Sequence, residues 1–325
     1  MRFVIYGAGA IGGLLGGCLH EAGHRVELIA RGRHLAALRH EGLTIERPDG
    51  RVVLDVPAVG SPHELDWTDP AAVVLAMKSQ DTEAAVEALE AVAPPETPVV
   101  CAQNGVASER RAARRFANTY GLNAICPASH LEPGVIGGHS APISGLMDLG
   151  RFPSGVDATV HAIADAISGA TFESVARPDI MRWKYRKLLM TLSNGIDALC
   201  GTAGRPTEIY RLAVVEAEAV LAAAGIDVVG DEEERERRAD LVQILPLSRS
   251  AWGGGSSWQS LARGTGTIEA DFLNGEIALL GRLHAVPTPV NTFLQRRTVA
   301  AARAGDRPGD VTPEELLAEL GSVAV

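Results

Sequence analysis

Several things are scarce in this sequence, and each scarcity excludes a reading. It has four cysteines in 325 residues (Cys18, Cys101, Cys126 and Cys200), widely spread and without a CxxC pair. That usage supports neither a disulfide framework nor a metal site, and fits a reduced, cytoplasmic protein. Positive charge is in deficit: 30 Lys and Arg stand against 40 Asp and Glu, for a net charge of −10. The balance argues against nucleic acid and against an anionic membrane surface as partners, although a local basic pocket could still take an anionic cofactor or acid. No apolar run is long enough to span a membrane. The apolar start carries no charge beyond Arg2, so it does not read as a signal peptide. There is no internal repeat and no low-complexity tract.

Against these absences stands an apolar content of 46%, ordinary for a globular protein with a substantial core. The length suggests two domains. The most informative stretch is Met1–Arg31. An apolar run, Phe3-Val4-Ile5-Tyr6, enters Gly7-Ala8-Gly9-Ala10-Ile11-Gly12. A helical segment and a second apolar run, Val26–Ala30, follow. Strand, glycine-rich turn, helix, strand is the context that makes GxGxxG a dinucleotide fingerprint. Gly7 permits the tight turn, Gly9 lets backbone approach a pyrophosphate, and Gly12 lets the helix pack on the strand. The pyrophosphate would lie on free N–H groups at the helix N-terminus. One further absence selects the cofactor. The second strand ends not in the acid that binds a ribose 2′-hydroxyl but in Arg31, with Arg33 and His34 behind it. A guanidinium suits a 2′-phosphate, so NADP(H) is the expected cofactor.

The first half alternates apolar runs with helical stretches. Strands are expected at Arg2–Tyr6, Arg25–Ala30, Ala72–Ala76, Pro98–Cys101 and Asn123–Cys126, with antiparallel additions at an edge from Gly134–Ile136 and Gly145–Leu149. Helices are expected at Gly12–Ala22, His34–His40 and Thr82–Ala93. The pattern predicts an α/β, Rossmann-type doubly wound N-terminal domain over 1–176, followed by an all-helical domain over 177–325. Ligands on such sheets bind beyond the carboxyl ends of the strands, where Lys78 and Gln103-Asn104-Gly105 fall. From Ile180 onward helical patterns dominate and clear strands disappear. Ile180–Cys200 reads as one long helix, Thr207–Ala224 as another and Ile268–His284 as a third. Asp231–Ala239 reads as a solvated, charge-laced helix face, and Gly253–Ser257 as a flexible loop. Thr312 and Glu315 form a capping box for a last helix. His130 reads as a structural histidine near the cofactor edge.

The ordered set of Gly7–Gly12 with Arg31, Lys78, Gln103-Asn104-Gly105 with Glu109, Arg186-Lys187-Leu188, and Ser256-Ser257 followed by Glu269-Ala270-Asp271-Phe272-Leu273-Asn274-Gly275 resembles the ketopantoate reductase (2-dehydropantoate 2-reductase) family. The likeness spans most of the chain. It implies an active site in the cleft between the two domains and hydride transfer from NADPH to the ketone of a 2-keto acid. Ketopantoate to pantoate, a step of pantothenate biosynthesis, is the family default. The family's W-x-K-L pattern carries onto Tyr185-Arg186-Lys187-Leu188, which makes Lys187 the candidate proton donor. Lys184, one turn earlier, is the rival. Glu269 would orient that ammonium or the cofactor ribose. Asn104 would hydrogen-bond substrate or nicotinamide ribose, Asn194 and Ser257 would hold the substrate, and Lys78 would position phosphate or ribose. The chain departs from the pattern at Tyr185 for tryptophan, at Thr191 for asparagine and at Trp258-Gln259-Ser260, so it reads as a divergent paralogue. A bulkier ketone substrate, or a non-catalytic NADP sensor, are the alternatives. Two copies could pair through the long helices as a homodimer, though no heptad marks a face.

Overall fold

From Phe3 to Tyr6 the first strand is apolar at every position, and a strand apolar on both faces must be covered on both sides. The computed structural model, which describes residues 1–201, 207–247 and 253–323, contains that arrangement. In chain order the first elements are β1 (Arg2–Tyr6), α1 (Ala10–Glu21), β2 (Arg25–Ile29), α2 (Gly32–Glu41), β3 (Leu43–Arg47), β4 (Gly50–Leu54), β5 (Ala58–Val59) and β6 (Ala72–Leu75). Then come α3 (Thr82–Glu90), β7 (Val99–Cys101), α4 (Ser108–Ala112), β8 (Thr119–Ile125), β9 (Ala128–Ser129), β10 (Val135–Gly138), β11 (Ser140–Pro142), β12 (Gly145–Arg151), α5 (Ala158–Ser168) and β13 (Phe172–Glu173). The remainder is α6 (Ile180–Thr191), α7 (Asn194–Cys200), α8 (Glu208–Ala223), α9 (Asp231–Arg238), β14 (Val242–Ile244), α10 (Ser256–Ala262), α11 (Asn274–Leu283), α12 (Pro289–Ala304) and α13 (Pro313–Val323).

The chain divides into two compact units, Met1–Lys184 with Gly230–Trp252, and Tyr185–Val229 with Gly253–Val325. In the first unit an eight-stranded sheet runs β13-β12-β8-β7-β6-β1-β2-β5. Its neighbours are parallel except β12, which is antiparallel to β8. Strand order reverses between β1 and β6, the switch point where such sheets bind ligands. Phe3 and Ile5 pack on one side with Leu14, Leu15 and the α5 residues Val160 and Ile163. Val4 and Tyr6 pack on the other with Val86 and Leu89 of α3 and with Phe116. This two-residue alternation is what lets helices cover both faces.

Three expectations for this unit need correction. The Val135–Gly138 strand does not extend the main sheet. It joins a four-stranded sheet, β4-β3-β10-β9, parallel to β3 and antiparallel to β9. Strands also do not vanish after Ile180: β14 pairs antiparallel with β11. Nor is Asp231–Ala239 only a solvated face. Arg237 on α9 is largely buried and donates to Asp148 at 2.7 and 2.9 Å and to Glu173 at 2.8 Å. That one guanidinium docks α9 onto the sheet unit, while Asp231, Glu232, Glu233, Arg235 and Glu236 face water as expected. The units therefore divide at Lys184–Tyr185, and the first regains Gly230–Trp252, whereas the sequence suggested a single cut after 176.

The second unit is helical throughout its described residues. The long helix expected over Ile180–Cys200 is broken at Leu192–Ser193. Thr191 Oγ1 donates to Leu188 O at 3.0 Å and Ser193 Oγ to Met190 O at 3.3 Å. Hydroxyls that take helix carbonyls in this way bend or stop the helix. The stretch expected as one helix over Ile268–His284 is a 3₁₀ turn, Glu269–Phe272, followed by α11. Glu216 accepts the Val290 and Asn291 amides at 2.8 and 2.9 Å, so it caps α12 from α8. The Thr312–Glu315 capping box forms, with Glu315 N donating to Thr312 Oγ1 at 3.2 Å and Thr312 N to Glu315 Oε2 at 2.8 Å. Among the described residues no helix is long and apolar enough to cross a membrane.

Candidate active site

The residues singled out by sequence fall into two sets, one in each unit. In the sheet unit, Gly7, Arg31, Lys78 and Asn104 stand just beyond the carboxyl ends of the neighbouring strands β1, β2, β6 and β7. Gly7 has φ +103°, and a Cβ there would lie 2.5 Å from Met77 N, so the turn after β1 admits only glycine. A Cβ on Gly12 would meet Ala76 Cβ and Ile5 Cγ2 at 2.9 Å, which is the close helix–strand approach the fingerprint requires. Ala8, Gly9, Ala10 and Ile11 lie between them. Gly9 is the N-cap of α1 and offers no side chain to its free N–H groups. The space in front of Gly9 is open, with only His130 Nδ1 within 4 Å, 3.9 Å from a Cβ placed there. An open cradle of amides at the start of a twelve-residue helix suits a pyrophosphate. The turn and helix start thus fit a dinucleotide.

Arg31 is the N-cap of α2. Its side chain and that of Arg33 are exposed, and neither takes part in an ion pair among the described residues. His34 does something the sequence did not reveal. Its Nδ1 accepts from Gly134 N at 2.9 Å, so its Nε2–H donates to Ala8 O at 2.7 Å. The ring also packs on His130, with centroids 4.3 Å apart. A neutral imidazole therefore ties the glycine-rich turn to the chain entering β10. Both partners are backbone groups, and Gly134 is a hundred residues away, so nothing in the sequence marked the link.

Lys78 is half-buried and leads into a 3₁₀ turn, Ser79–Asp81. Ser79 Oγ donates to Asn104 O at 3.3 Å, and Gln103 Nε2 donates to Thr82 Oγ1 at 3.1 Å. The ends of β6 and β7 are thus tied side by side. Below them lies a buried ion pair. Lys184, 2% exposed, contacts Glu109, 0% exposed, and donates to Cys101 O at 3.2 Å and Gln103 O at 3.1 Å. Burial first, then the Glu109 charge, push the Cys101 thiol well above its ordinary range, so it stays protonated beside this pair.

In the helical unit, Lys187 lies on α6 and is half-buried. Asn194 opens α7 and is buried. Ser257 is in the first turn of α10, which packs on α7. A Cβ on Gly255, the N-cap of α10, would lie 3.6 Å from Asn194 Oδ1, so the structure brings Asn194 and the Ser256-Ser257 pair together. The expected flexible loop is in its last two residues a helix start. Both serine hydroxyls are buried and lack a hydrogen-bond partner among the described residues, a state that a polar ligand would relieve. Glu269 is 5% exposed on its 3₁₀ turn, not in the first turn of a longer helix. Among the described residues no cluster of His, Cys, Asp or Glu could hold a metal ion.

The chain is similar to known proteins over most of its length. The family profile described as ketopantoate reductase PanE/ApbA matches residues 3–154, and its C-terminal counterpart matches residues 179–300. The 2-dehydropantoate 2-reductase of Pyrococcus horikoshii is 27% identical over 304 residues, 90% of this chain and 95% of its own. That of Halobacterium salinarum is 29% identical over 318 residues, 94% of this chain and all of its own. Among solved structures, a PanE/ApbA family ketopantoate reductase from Ralstonia eutropha is 25% identical with a TM-score of 0.77, covering 94% of this chain and 99% of its own. The ternary structure of a D-mandelate dehydrogenase with NADH and anilino(oxo)acetate shares the fold at 23% identity, with a TM-score of 0.79 and the same coverage. With both profiles matched in order and relatives aligned over nearly their whole length, the chain belongs to the ketopantoate reductase PanE/ApbA family of oxidoreductases.

Proposed function

We propose that the protein reduces a 2-keto acid to the 2-hydroxy acid with NADPH, ketopantoate to pantoate being the family default. The observation that carries the reading is Arg31. It stands exposed, and without an ion-pair partner among the described residues, at the end of β2, where an NAD site usually has a carboxylate. A guanidinium there forms bidentate bonds to a 2′-phosphate. When bound, the nicotinamide supplies the hydride. Charge then develops on the ketone oxygen, which needs a donor and afterwards a proton. Lys187 fills both roles in this reading. Glu269 keeps that ammonium charged or orients it, since a nearby carboxylate favours the charged lysine. Asn104 hydrogen-bonds the substrate or the nicotinamide ribose, Asn194 and Ser257 hold the substrate carboxylate or hydroxyl, and Lys78 positions phosphate or ribose.

The test is NADPH oxidation, followed by absorbance, with ketopantoate and a panel of 2-keto acids. Lys187→Ala is expected to lower kcat by roughly 10²- to 10⁴-fold. Arg31→Ala is expected to raise the KM for NADPH about tenfold or more, with the KM for NADH nearly unchanged. Equal effects on both cofactors would refute the NADP reading.

One observation favours a less polar substrate than ketopantoate. At the position of the family asparagine, Thr191 is buried and its hydroxyl is committed to Leu188 O. Threonine there offers a substrate no amide, which suits a bulkier, more apolar 2-keto acid. The D-mandelate dehydrogenase of the same fold was solved with anilino(oxo)acetate. On this reading phenylglyoxylate exceeds ketopantoate in kcat/KM, and Thr191→Asn moves the ratio toward ketopantoate by about tenfold. A ratio unmoved by that substitution would remove Thr191 from the argument.

A further inference from the structure

Lysines rarely go fully buried, and Lys184 is buried on the turn of α6 that precedes Lys187. Its ammonium donates to Cys101 O and Gln103 O and is ion-paired with Glu109, whose carboxylate oxygens have no hydrogen-bond partner among the described residues. At 2% exposed, with Glu109 and two carbonyls around it, the ammonium is enclosed. The two carbonyls flank Ala102 where β7 gives out, so the cation gathers backbone groups just as the strand ladder stops serving them. The neighbouring strand makes room. Gly121 on β8 has no side chain, and a Cβ there would lie 3.3 Å from Lys184 Cδ and 3.5 Å from Glu109 Oε1. On its outer side the same peptide is held by Ser79 at Asn104 O and by Thr82 at the Gln103 side chain, and Gly105 turns it away with φ +76°.

We infer that Lys184 and Glu109 form a positioning pair, a buried ammonium–carboxylate post that sets the strand-end peptide Cys101–Gly105 and so aims Asn104. The inference rests on the proposed function for what Asn104 is aimed at. It rests on geometry alone for the post. Lys184 is then neither a catalytic residue nor a reserve proton donor, although it shares a helix with Lys187. The pair acts through the backbone: removing the charges frees Cys101 O and Gln103 O, and the Asn104 amide loses its fixed direction.

The test uses the intact chain. Lys184→Met/Glu109→Met keeps the volume and removes both charges together, so no unpaired buried charge threatens the fold. Gly121→Ala, which crowds the lysine stem without touching either charge, is the second variant. Amide hydrogen exchange in the peptide spanning residues 101–106 is expected to quicken by about tenfold in the double variant, with β1 and α1 unchanged. The Gly121→Ala variant should shift in the same direction by less. With NADPH and ketopantoate or phenylglyoxylate, kcat is expected to fall about tenfold on its own but only about twofold in an Asn104→Ala background, because the loss runs through Asn104. The pH limb of the proton donor should stay in place. Unchanged exchange at 101–106, additive losses with Asn104→Ala, or a displaced pH limb would each overturn the inference. If the unaltered protein oxidises no NADPH with any 2-keto acid, the proposed function fails instead, and the exchange comparison still decides the post.

Discussion

The two units solve the same problem, buried backbone carbonyls, with different chemistry. In the sheet unit carbonyls outside the strand ladders are gathered by cations, in the loop before β6 and at the end of β7. Arg2 donates to Asp66 O and Asp69 O at 2.6 Å while its Nε contacts Glu27 at 3.2 Å, and Lys184 does the equivalent at the other end of the sheet. In the helical unit neutral amides suffice. Asn274 Nδ2 donates to Leu192 O at 3.4 Å and to Asn291 Oδ1 at 3.0 Å, and Asn291 Nδ2 donates to Ala213 O at 2.9 Å. The difference follows from the elements. A helix satisfies its interior carbonyls itself and leaves only its last turn wanting. A sheet leaves the carbonyls of its connecting loops and of the residues just past a strand without ladder partners, and one cation can serve two of them. Buried charge in the helical unit therefore stands out. Among the described residues its buried acids are Glu269 and Glu276. Both lie in or beside the stretch that resembles the family's site, which is where a protein tolerates such a charge.

The largest effect expected from this contrast is at the Lys184–Glu109 pair. Lys184→Met alone leaves a carboxylate that is 0% exposed without its counter-ion, and is predicted to cost about 3–5 kcal/mol. Lys184→Met/Glu109→Met removes both charges and is predicted to lie within about 1 kcal/mol of the unaltered protein. Urea unfolding of the single and double variants measures the difference, and equal losses in both would show that packing rather than charge holds that corner. A smaller effect is expected in the helical unit. Asn291→Ala strips one partner each from Asn274, Ala213 O and Glu216, all neutral groups except Glu216. It is predicted to cost about 2–3 kcal/mol. An Asn291 loss larger than that of Lys184→Met would break the contrast between the two units.

How much of this was legible in the sequence depended on how local the cause was. The β1–turn–α1–β2 unit was readable because its pattern is contiguous. The fingerprint marks Gly7 and Gly12 by itself, although the atoms that exclude a side chain there come in part from Ala76 and Met77, far along the chain. The two lysines of α6 were not separable, since helical periodicity puts both on one face. Their difference comes from Glu109 and β7, which lie far away along the chain. The β3–β4 hairpin passed unnoticed although Pro48-Asp49-Gly50 is turn chemistry, because its strands face a separate sheet completed only by β10. The break after Thr191 was hidden in an apolar run. Composition favoured a continuous helix, and two hydroxyls bonded to their own carbonyls ended it. Arg237 was misjudged because an acidic and basic run reads as solvated until a buried Asp148 supplies the reason to turn one guanidinium inward.

The smallest predicted effect separates the units by pH. Asp157 caps α5 in the sheet unit: its Oδ1 accepts from Val160 N at 2.9 Å, and its Oδ2 accepts from Arg151 Nη1 at 2.7 Å and Tyr120 Oη at 3.1 Å. Burial pushes this carboxyl upward, but Arg151, the Val160 amide and the Tyr120 hydroxyl outweigh it and hold the carboxyl below its ordinary value. In the helical unit α8 is capped by Thr207, whose hydroxyl accepts from Tyr210 N at 3.4 Å and does not titrate. A carboxyl depressed in the folded state binds fewer protons there than in the unfolded chain. Its contribution is complete above the unfolded value of about 4 and is lost as pH falls through the folded value. Asp157→Asn keeps a capping oxygen but drops the charge, so it is predicted to cost about 1 kcal/mol or less at neutral pH and to converge with the unaltered protein in acid. Thr207→Ala is predicted to cost about 1 kcal/mol at both ends of that range. Urea unfolding of both variants at pH 7 and pH 3.5 distinguishes them. An Asp157→Asn loss that persists unchanged at the lower pH would mean that the cap works by shape alone, as the neutral cap of the helical unit does.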